Sequence, residues 1–127
     1  MPVEISKKFR FESAHWLPGF PEGHKCRRLH GHSFELEIIV QGEIHPQTGV
    51  LVDYGEIKKI VQPFVELLDH RCINEIGKEN DFDLLKNPTS ENLAKWFFHS
   101  LEPLLKGLSR VKIYETCTSS CTYYKNV

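Results

Sequence analysis

Two stretches of the chain alternate with a period of two, and each has histidine at one end. Residues 3–15 put Val3, Ile5, Phe9, Phe11 and His15 on one parity and Lys8, Arg10 and Glu12 on the other. Residues 30–42 put His30, His32, Phe34, Leu36, Ile38 and Val40 on one parity and Ser33, Glu35 and Glu37 on the other, with Ile39 the one exception. Successive strand side chains point to opposite faces, so both stretches predict half-buried strands, apolar on one side and charged on the other. A slip of one residue would turn every apolar side chain to water. The chain must therefore build a sheet with one covered face.

What covers it follows from the rest of the sequence. His45–Gly49 holds Pro46 and Gly49 and predicts a turn; Val50–Val52 then predicts a short returning strand, making residues 33–53 a hairpin. Asp53 and Glu56 have a capping-box spacing before Ile57, Ile60, Val61, Phe64, Val65 and Leu68, which recur at helical intervals. Pro63 inside that segment predicts a kink or a break. Residues 74–88 are polar, contain Gly77 and Pro88, and predict a loop. Thr89 or Ser90 caps a second helix with Leu93, Trp96, Phe97, Leu101 and Leu104 as its stripe; Pro103 distorts its last turn, and Gly107 ends it or lies in the following turn. Arg110–Thr116 predicts a last strand, with Val111, Ile113 and Glu115 on one parity. The expected fold is α+β: one domain over 1–127, a four-stranded, mostly antiparallel sheet with two helices on one face. Its open edges invite assembly through strands.

Composition narrows the function. The net charge of −1 argues against a domain that grips nucleic acid by neutralising phosphates. No apolar run reaches the roughly 20 residues of a membrane helix, and the first residues lack the apolar core of a signal peptide. The expected compartment is the cytoplasm, where the four cysteines are thiols rather than disulfides.

Chemistry concentrates at the strand ends. His30 and His32 point the same way, and if the first two strands pair across residues 16–29, His15 meets them. Three neutral imidazoles with an open fourth position make a catalytic zinc arrangement; the alternative is a set of satisfied core histidines. Cys26 sits among Lys25, Arg27 and Arg28, cations that favour its thiolate and could receive a phosphate ester. It could also be a fourth zinc ligand in a closed structural site, or an inert loop thiol. Asp69-His70 offers acid/base chemistry or a charge at a helix end. Glu115, on the inward parity, needs a partner: a ligand with two adjacent N–H donors would satisfy it, or it reaches solvent. Cys72, Cys117 and Cys121 read as packing or incidental thiols, and His24, His45 and His99 as solvated or structural.

The segments Phe11-Glu12-Ser13-Ala14-His15, Pro21-Glu22-Gly23-His24-Lys25-Cys26 and Leu29-His30-Gly31-His32-Ser33 resemble the 6-pyruvoyl-tetrahydropterin synthase superfamily. Leu68-Asp69-His70, Asn87-Pro88-Thr89-Ser90-Glu91 and Glu115-Thr116 extend the resemblance along almost the whole chain. Cys-Arg-Arg-Leu-His-Gly-His and the Glu115-Thr116-Cys117-Thr118 ending are most similar to the bacterial 6-carboxytetrahydropterin synthase branch, which serves the 7-deazaguanine (queuosine) pathway. The 74–86 segment is longer than in the shortest members.

The resemblance implies a tunnelling fold (T-fold) whose subunit sheets join into a barrel, in trimers or hexamers with active sites between subunits. It implies conversion of 7,8-dihydroneopterin triphosphate to 6-carboxy-5,6,7,8-tetrahydropterin, acetaldehyde and triphosphate. His15, His30 and His32 would hold zinc, Cys26 would be the thiolate base, and Asp69 and His70 would move protons. Glu115 would anchor the pterin with help from Thr116, and Lys25, Arg27 or Arg28 would meet the phosphates. The alternatives are 6-pyruvoyl-tetrahydropterin synthase activity, with the side chain retained, and a non-catalytic zinc module.

Overall fold

A computed structural model describes residues 2–125. Its strands are β1 (Pro2–His15), β2 (His30–Glu43), β3 (Arg71–Cys72), β4 (Leu108–Thr116) and β5 (Ser119–Tyr124), and its helices α1 (Tyr54–Leu68), α2 (Ile73–Asn80) and α3 (Ser90–Leu101). The sheet order is β3-β1-β2-β4-β5, antiparallel except for the short parallel β1–β3 pair.

The alternating stretches form the two central strands as expected. Every apolar position of the predicted inward face in β2 (Phe34, Leu36, Ile38, Val40) is buried, and so are Phe9 and Phe11 opposite Leu36 and Phe34. The rings of Phe11 and Phe34 stack at 5.1 Å. Ile57, Val61, Val65 and Leu68 of α1 and Leu93, Phe97 and Leu101 of α3 close over this face in one core. Ile39, the break in the alternation, sits where the β2–β4 register shifts. The other face keeps its charge: Tyr114 donates to Glu37 at 2.8 Å, with the Lys8 and Lys112 ammonium groups 5.0 and 4.9 Å from its ring centre.

Both helix caps arise where their sequences predict them. The Asp53 carboxylate accepts from the Gly55 N–H, and the Thr89 hydroxyl accepts from the Asn92 N–H. Gly107 lies in the turn after α3 at φ +84°, and a Cβ there would meet the Gln41 carbonyl oxygen at 2.7 Å.

Five expectations are corrected. The expected second helix, α3, ends at Leu101, before Pro103, so Pro103 lies outside its last turn and Leu104 stands exposed beyond it instead of joining the apolar stripe. Val50–Val52 is not a returning strand, because β1 and β4 occupy both sides of β2; it bends away and tucks Leu51 against the core. Pro63 does not break α1, since it lies on the exposed face, where water can serve the carbonyl it leaves without a donor. Residues 74–88 are not a loop throughout: α2 runs through Gly77, whose missing side chain admits the Leu85 backbone, 2.6 Å from where a Cβ would stand. A turn at Cys117-Thr118 adds β5, setting Cys121 opposite Ile113, so the described residues form five strands and three α-helices. Among the described residues no helix is long and apolar enough to cross a membrane.

Candidate functional site

The site is built at the terminal pair of the β1–β2 ladder. His15 faces His30 directly, and Ser13 faces His32, so two strands deliver three imidazoles to one point. One ligand atom from each of the three histidines falls within 4.8 Å of the others. The ring centres lie 4.6 Å (His15–His30), 4.9 Å (His30–His32) and 5.2 Å (His15–His32) apart. The Phe34 ring stands edge-on beneath His15 and His32, an apolar floor.

The tautomers follow from the partners. The Nδ1 of His15 lies 2.9 Å from the Pro88 carbonyl and that of His30 lies 2.7 Å from the Arg28 carbonyl. A carbonyl only accepts, so each Nδ1 carries its proton and each Nε2 offers a lone pair. His15 is fully buried, yet its Nε2 has no hydrogen-bond partner, and neither has the Nε2 of His32. Leaving a buried polar atom unpaired costs about 1–3 kcal/mol. A bound metal ion would remove that cost, and carbonyl-oriented imidazoles are the usual way such ligands are held. Burial lowers the pKa of His15 and of His32, keeping both in the neutral form a metal requires.

Glu115 approaches from β4. Its Oε1 lies 3.3 Å from His32 Nε2, without the alignment of a hydrogen bond, and its Oε2 accepts from the Ser90 hydroxyl at 2.8 Å. The inward-parity carboxylate therefore finds one partner inside the protein, the Ser90 hydroxyl, for Oε2. Because Thr89 caps α3, Ser90 is free for this bond. Glu115 and Thr116 line a cleft of about 550 Å³ with Gly31, His32 and Ser33, where β2 and β4 part beyond the Glu35–Tyr114 pair. A shallower depression of about 570 Å³ opens on the other side of β2, and His32 and His70 share its wall with Arg71.

Asp69 and His70 do contact each other, although neighbours in sequence need not. His70 takes φ 58°, its N–H donates to the Glu12 carbonyl, and its Nδ1 comes 3.1 Å from Asp69 Oδ1. The same carboxylate oxygen accepts the Glu12 N–H at 2.8 Å, the main reason its pKa is lowered, with His70 adding to the effect. His70 itself stays exposed.

Cys26 is half-buried in a short helical turn, Lys25–Arg27. It does not join the histidine group, which counts against a closed site with Cys26 as fourth ligand. Lys25 and Arg28 are exposed, and neither they nor Cys26 line the two cavities beside His32. All four cysteines are free. Cys121 packs on the core, and burial raises its pKa; Cys117 is exposed in the wall of the Glu115 cleft.

Two supporting residues escape a reading of the sequence. Asn74, buried, accepts the Trp16 N–H at 3.0 Å and donates to the Trp16 carbonyl at 2.8 Å, so it fixes the chain immediately after His15. Ser90 orients Glu115. Their only signal is polarity at helix starts, which caps usually explain.

Fold and site together define an α+β protein that sets a histidine triad able to hold a metal ion beside a carboxylate-bearing cleft. The family described as 6-pyruvoyl tetrahydropterin synthase matches residues 4–126, and the chain belongs to it. It is 41% identical to the 6-carboxy-5,6,7,8-tetrahydropterin synthase of Synechocystis sp., over 94% of this chain and 92% of that protein. It is 34% identical to the dihydroneopterin monophosphate aldolase of Pyrococcus furiosus, over 91% of each chain. The structure of Caenorhabditis elegans 6-pyruvoyl tetrahydropterin synthase superposes with a TM-score of 0.87 at 25% identity, covering 99% of this chain and 97% of that one.

Proposed function

We propose that this chain is a zinc-dependent lyase that converts 7,8-dihydroneopterin triphosphate to 6-carboxy-5,6,7,8-tetrahydropterin, releasing acetaldehyde and triphosphate in queuosine biosynthesis. The observation that carries this is the convergence of His15, His30 and His32, two with unpartnered Nε2 atoms, beside the Glu115 cleft. The name of the Synechocystis relative supports the choice of reaction.

His15, His30 and His32 would hold the zinc, three neutral nitrogens and an open position being the composition of a catalytic site. Once bound, the ion supplies Lewis acidity toward the hydroxyls of the substrate side chain. Glu115 receives the 2-amino and ring N–H donors of the pterin, a bidentate match for a carboxylate. Ser90 keeps Glu115 turned into the cleft, and Thr116 borders the same surface. The Cys26 thiolate takes a side-chain carbon proton. Asp69 holds His70 through Nδ1, leaving Nε2 to exchange protons with the substrate or solvent. Lys25 and Arg28 meet the phosphates.

The single domain works in the cytoplasm, a setting that suits four free thiols. It assembles as a homo-oligomer, a trimer or a hexamer, with sites between subunits. The sheet ends on β5, and β3 pairs only with Ser13 and Ala14 of β1, so strand edges remain for such contacts among the described residues.

One assay decides: dihydroneopterin triphosphate is supplied to the zinc-loaded protein, and product mass and acetaldehyde are read together. Carboxy-tetrahydropterin with acetaldehyde is expected. A 6-pyruvoyl product without acetaldehyde would favour the activity named for the C. elegans relative. Cys26→Ala should keep zinc and lose turnover; full activity of that variant would sink the base assignment. No turnover, together with a zinc-edge spectrum showing Cys26 sulfur bound, would indicate a structural zinc module.

A further inference from the structure

Arg27 is spent on the loop that carries Cys26. Residues 16–29 join His15 to His30, and Cys26 sits near their far end. The segment Pro18-Gly19-Phe20-Pro21 is poor in donors: neither proline has an N–H, and Gly19 has no side chain. The segment is exposed, so water could serve its carbonyls, and a protein donor there acts by tying the chain rather than by satisfying a buried group. Arg27 supplies it, with one Nη1 donating to the Pro18 carbonyl at 3.1 Å and to the Phe20 carbonyl at 2.7 Å. The two hydrogens of that nitrogen diverge in a fixed plane, so a single group spans both acceptors.

The peptide groups of Cys26 are held within the loop this tie closes. The Cys26 N–H donates to His24 Nδ1 at 3.1 Å, and the Cys26 carbonyl accepts the Leu17 N–H at 2.8 Å. The Phe20 and His24 rings stack at 4.4 Å, joining the proline-rich leg to the Cys26 leg a second time. At the base, Asn74 fixes Trp16, and His30 fixes Arg28. Arg27 thus ties the two legs by hydrogen bonds between these anchored ends, beside the Phe20–His24 stack.

We propose that Arg27 is a positioning residue for Cys26, not a phosphate ligand: its guanidinium sets where the thiol stands relative to the histidine site. This rests on Cys26 being the base. Displacing a reacting group by about 1 Å can cost on the order of 100-fold in rate.

The test compares Arg27→Met with Arg27→Lys in the zinc-loaded protein. Lysine keeps the charge but ends one bond short and lacks the planar fork. In both variants kcat should fall about 10- to 100-fold, with KM for dihydroneopterin triphosphate within about twofold of wild type. Zinc content and melting temperature should hold, while hydrogen exchange at the Leu17 N–H speeds up. A raised KM with kcat retained, or full rescue by lysine, would mark Arg27 as a phosphate contact and overturn the proposal. Unchanged kcat in both variants would overturn it too, as would loss of zinc or of melting temperature, the signs of a purely structural role. The exchange measurement reports the tie without reference to the base. If Cys26→Ala is fully active while Leu17 exchange quickens in Arg27→Met, the base assignment fails, not the tie.

Discussion

Asn74→Ala tests whether the metal site depends on a residue that touches no ligand. The amide makes two hydrogen bonds to Trp16, at 3.0 and 2.8 Å, from a side chain only 5% exposed. Truncation leaves the Trp16 N–H and carbonyl without these partners, at about 1–2 kcal/mol each, so the loss is about 2–4 kcal/mol. Unfolding entropy near 2.1 cal/mol/K per residue gives about 0.27 kcal/mol/K for 127 residues. The melting temperature should therefore drop by about 7–15 °C. The comparison belongs in metal-free protein at equal concentration, because a bound ligand or partner adds stability of its own. Trp16 directly follows His15, so zinc affinity should fall as well, by about 10- to 100-fold, as when groups behind metal ligands are removed. Circular dichroism reads the first effect, and competition with a chromophoric chelator the second. A drop below about 3 °C with unchanged zinc affinity would refute the argument, since water would then be replacing both bonds at no cost.

Three further outcomes are expected. Stripping the metal with a chelator should abolish turnover and lower the melting temperature, by about 2.7 kcal/mol of stability if the ion was present at 100 times its Kd, and zinc should restore both; turnover surviving in verified metal-free protein would contradict the role given to the histidines. Ser90→Ala should raise KM by about 3- to 10-fold, about 0.7–1.4 kcal/mol and less than a full hydrogen bond to a carboxylate because Ser90 acts through Glu115, and leave zinc content intact, whereas Ser90→Thr keeps the hydroxyl and most of the affinity; steady-state kinetics with metal analysis checks this. Asp69 has a depressed pKa in the folded state, so its stabilisation is complete above the ordinary carboxylate value of 3.8 and is lost as the pH falls below it. Asp69→Asn should flatten that acid limb in urea titrations from pH 5 to 2, and an unchanged slope would count against the Glu12 and His70 contacts.

The two central strands and their pairing were legible because period-two alternation is a property of the chain itself, and one face had to be buried. The same alternation carried His15, His30 and His32 to a common point, since residues two apart on a strand share a face. The segments the sequence misassigned have a common cause. Gly77 reads as a breaker, yet its role is to let the Leu85 backbone approach, and nothing in its neighbours announces that contact. Val50–Val52 has strand character, but the places beside β2 were taken by β1 and β4, from 15 residues earlier and 68 residues later in the chain at the nearest ladder pairs, His15–His30 and Val40–Leu108.

The sequence by itself determined which residues of the two central strands face inward, where α1 and α3 are capped, and that three imidazoles meet once those strands pair. Each of these depends on spacing along a single element or on one strand pairing. Only the tertiary structure decided how those imidazoles are turned. The carbonyl of Pro88, far along the chain, accepts from His15 Nδ1–H, which holds the proton there and frees its Nε2. Tertiary structure likewise decided that Ser90 and His32 flank Glu115, that Asn74 braces the chain after His15, and that Arg27 is engaged by backbone carbonyls. The reason is physical: hydrogen bonds to the backbone depend on which carbonyls the fold brings near, and a carbonyl carries no side-chain identity for the sequence to display.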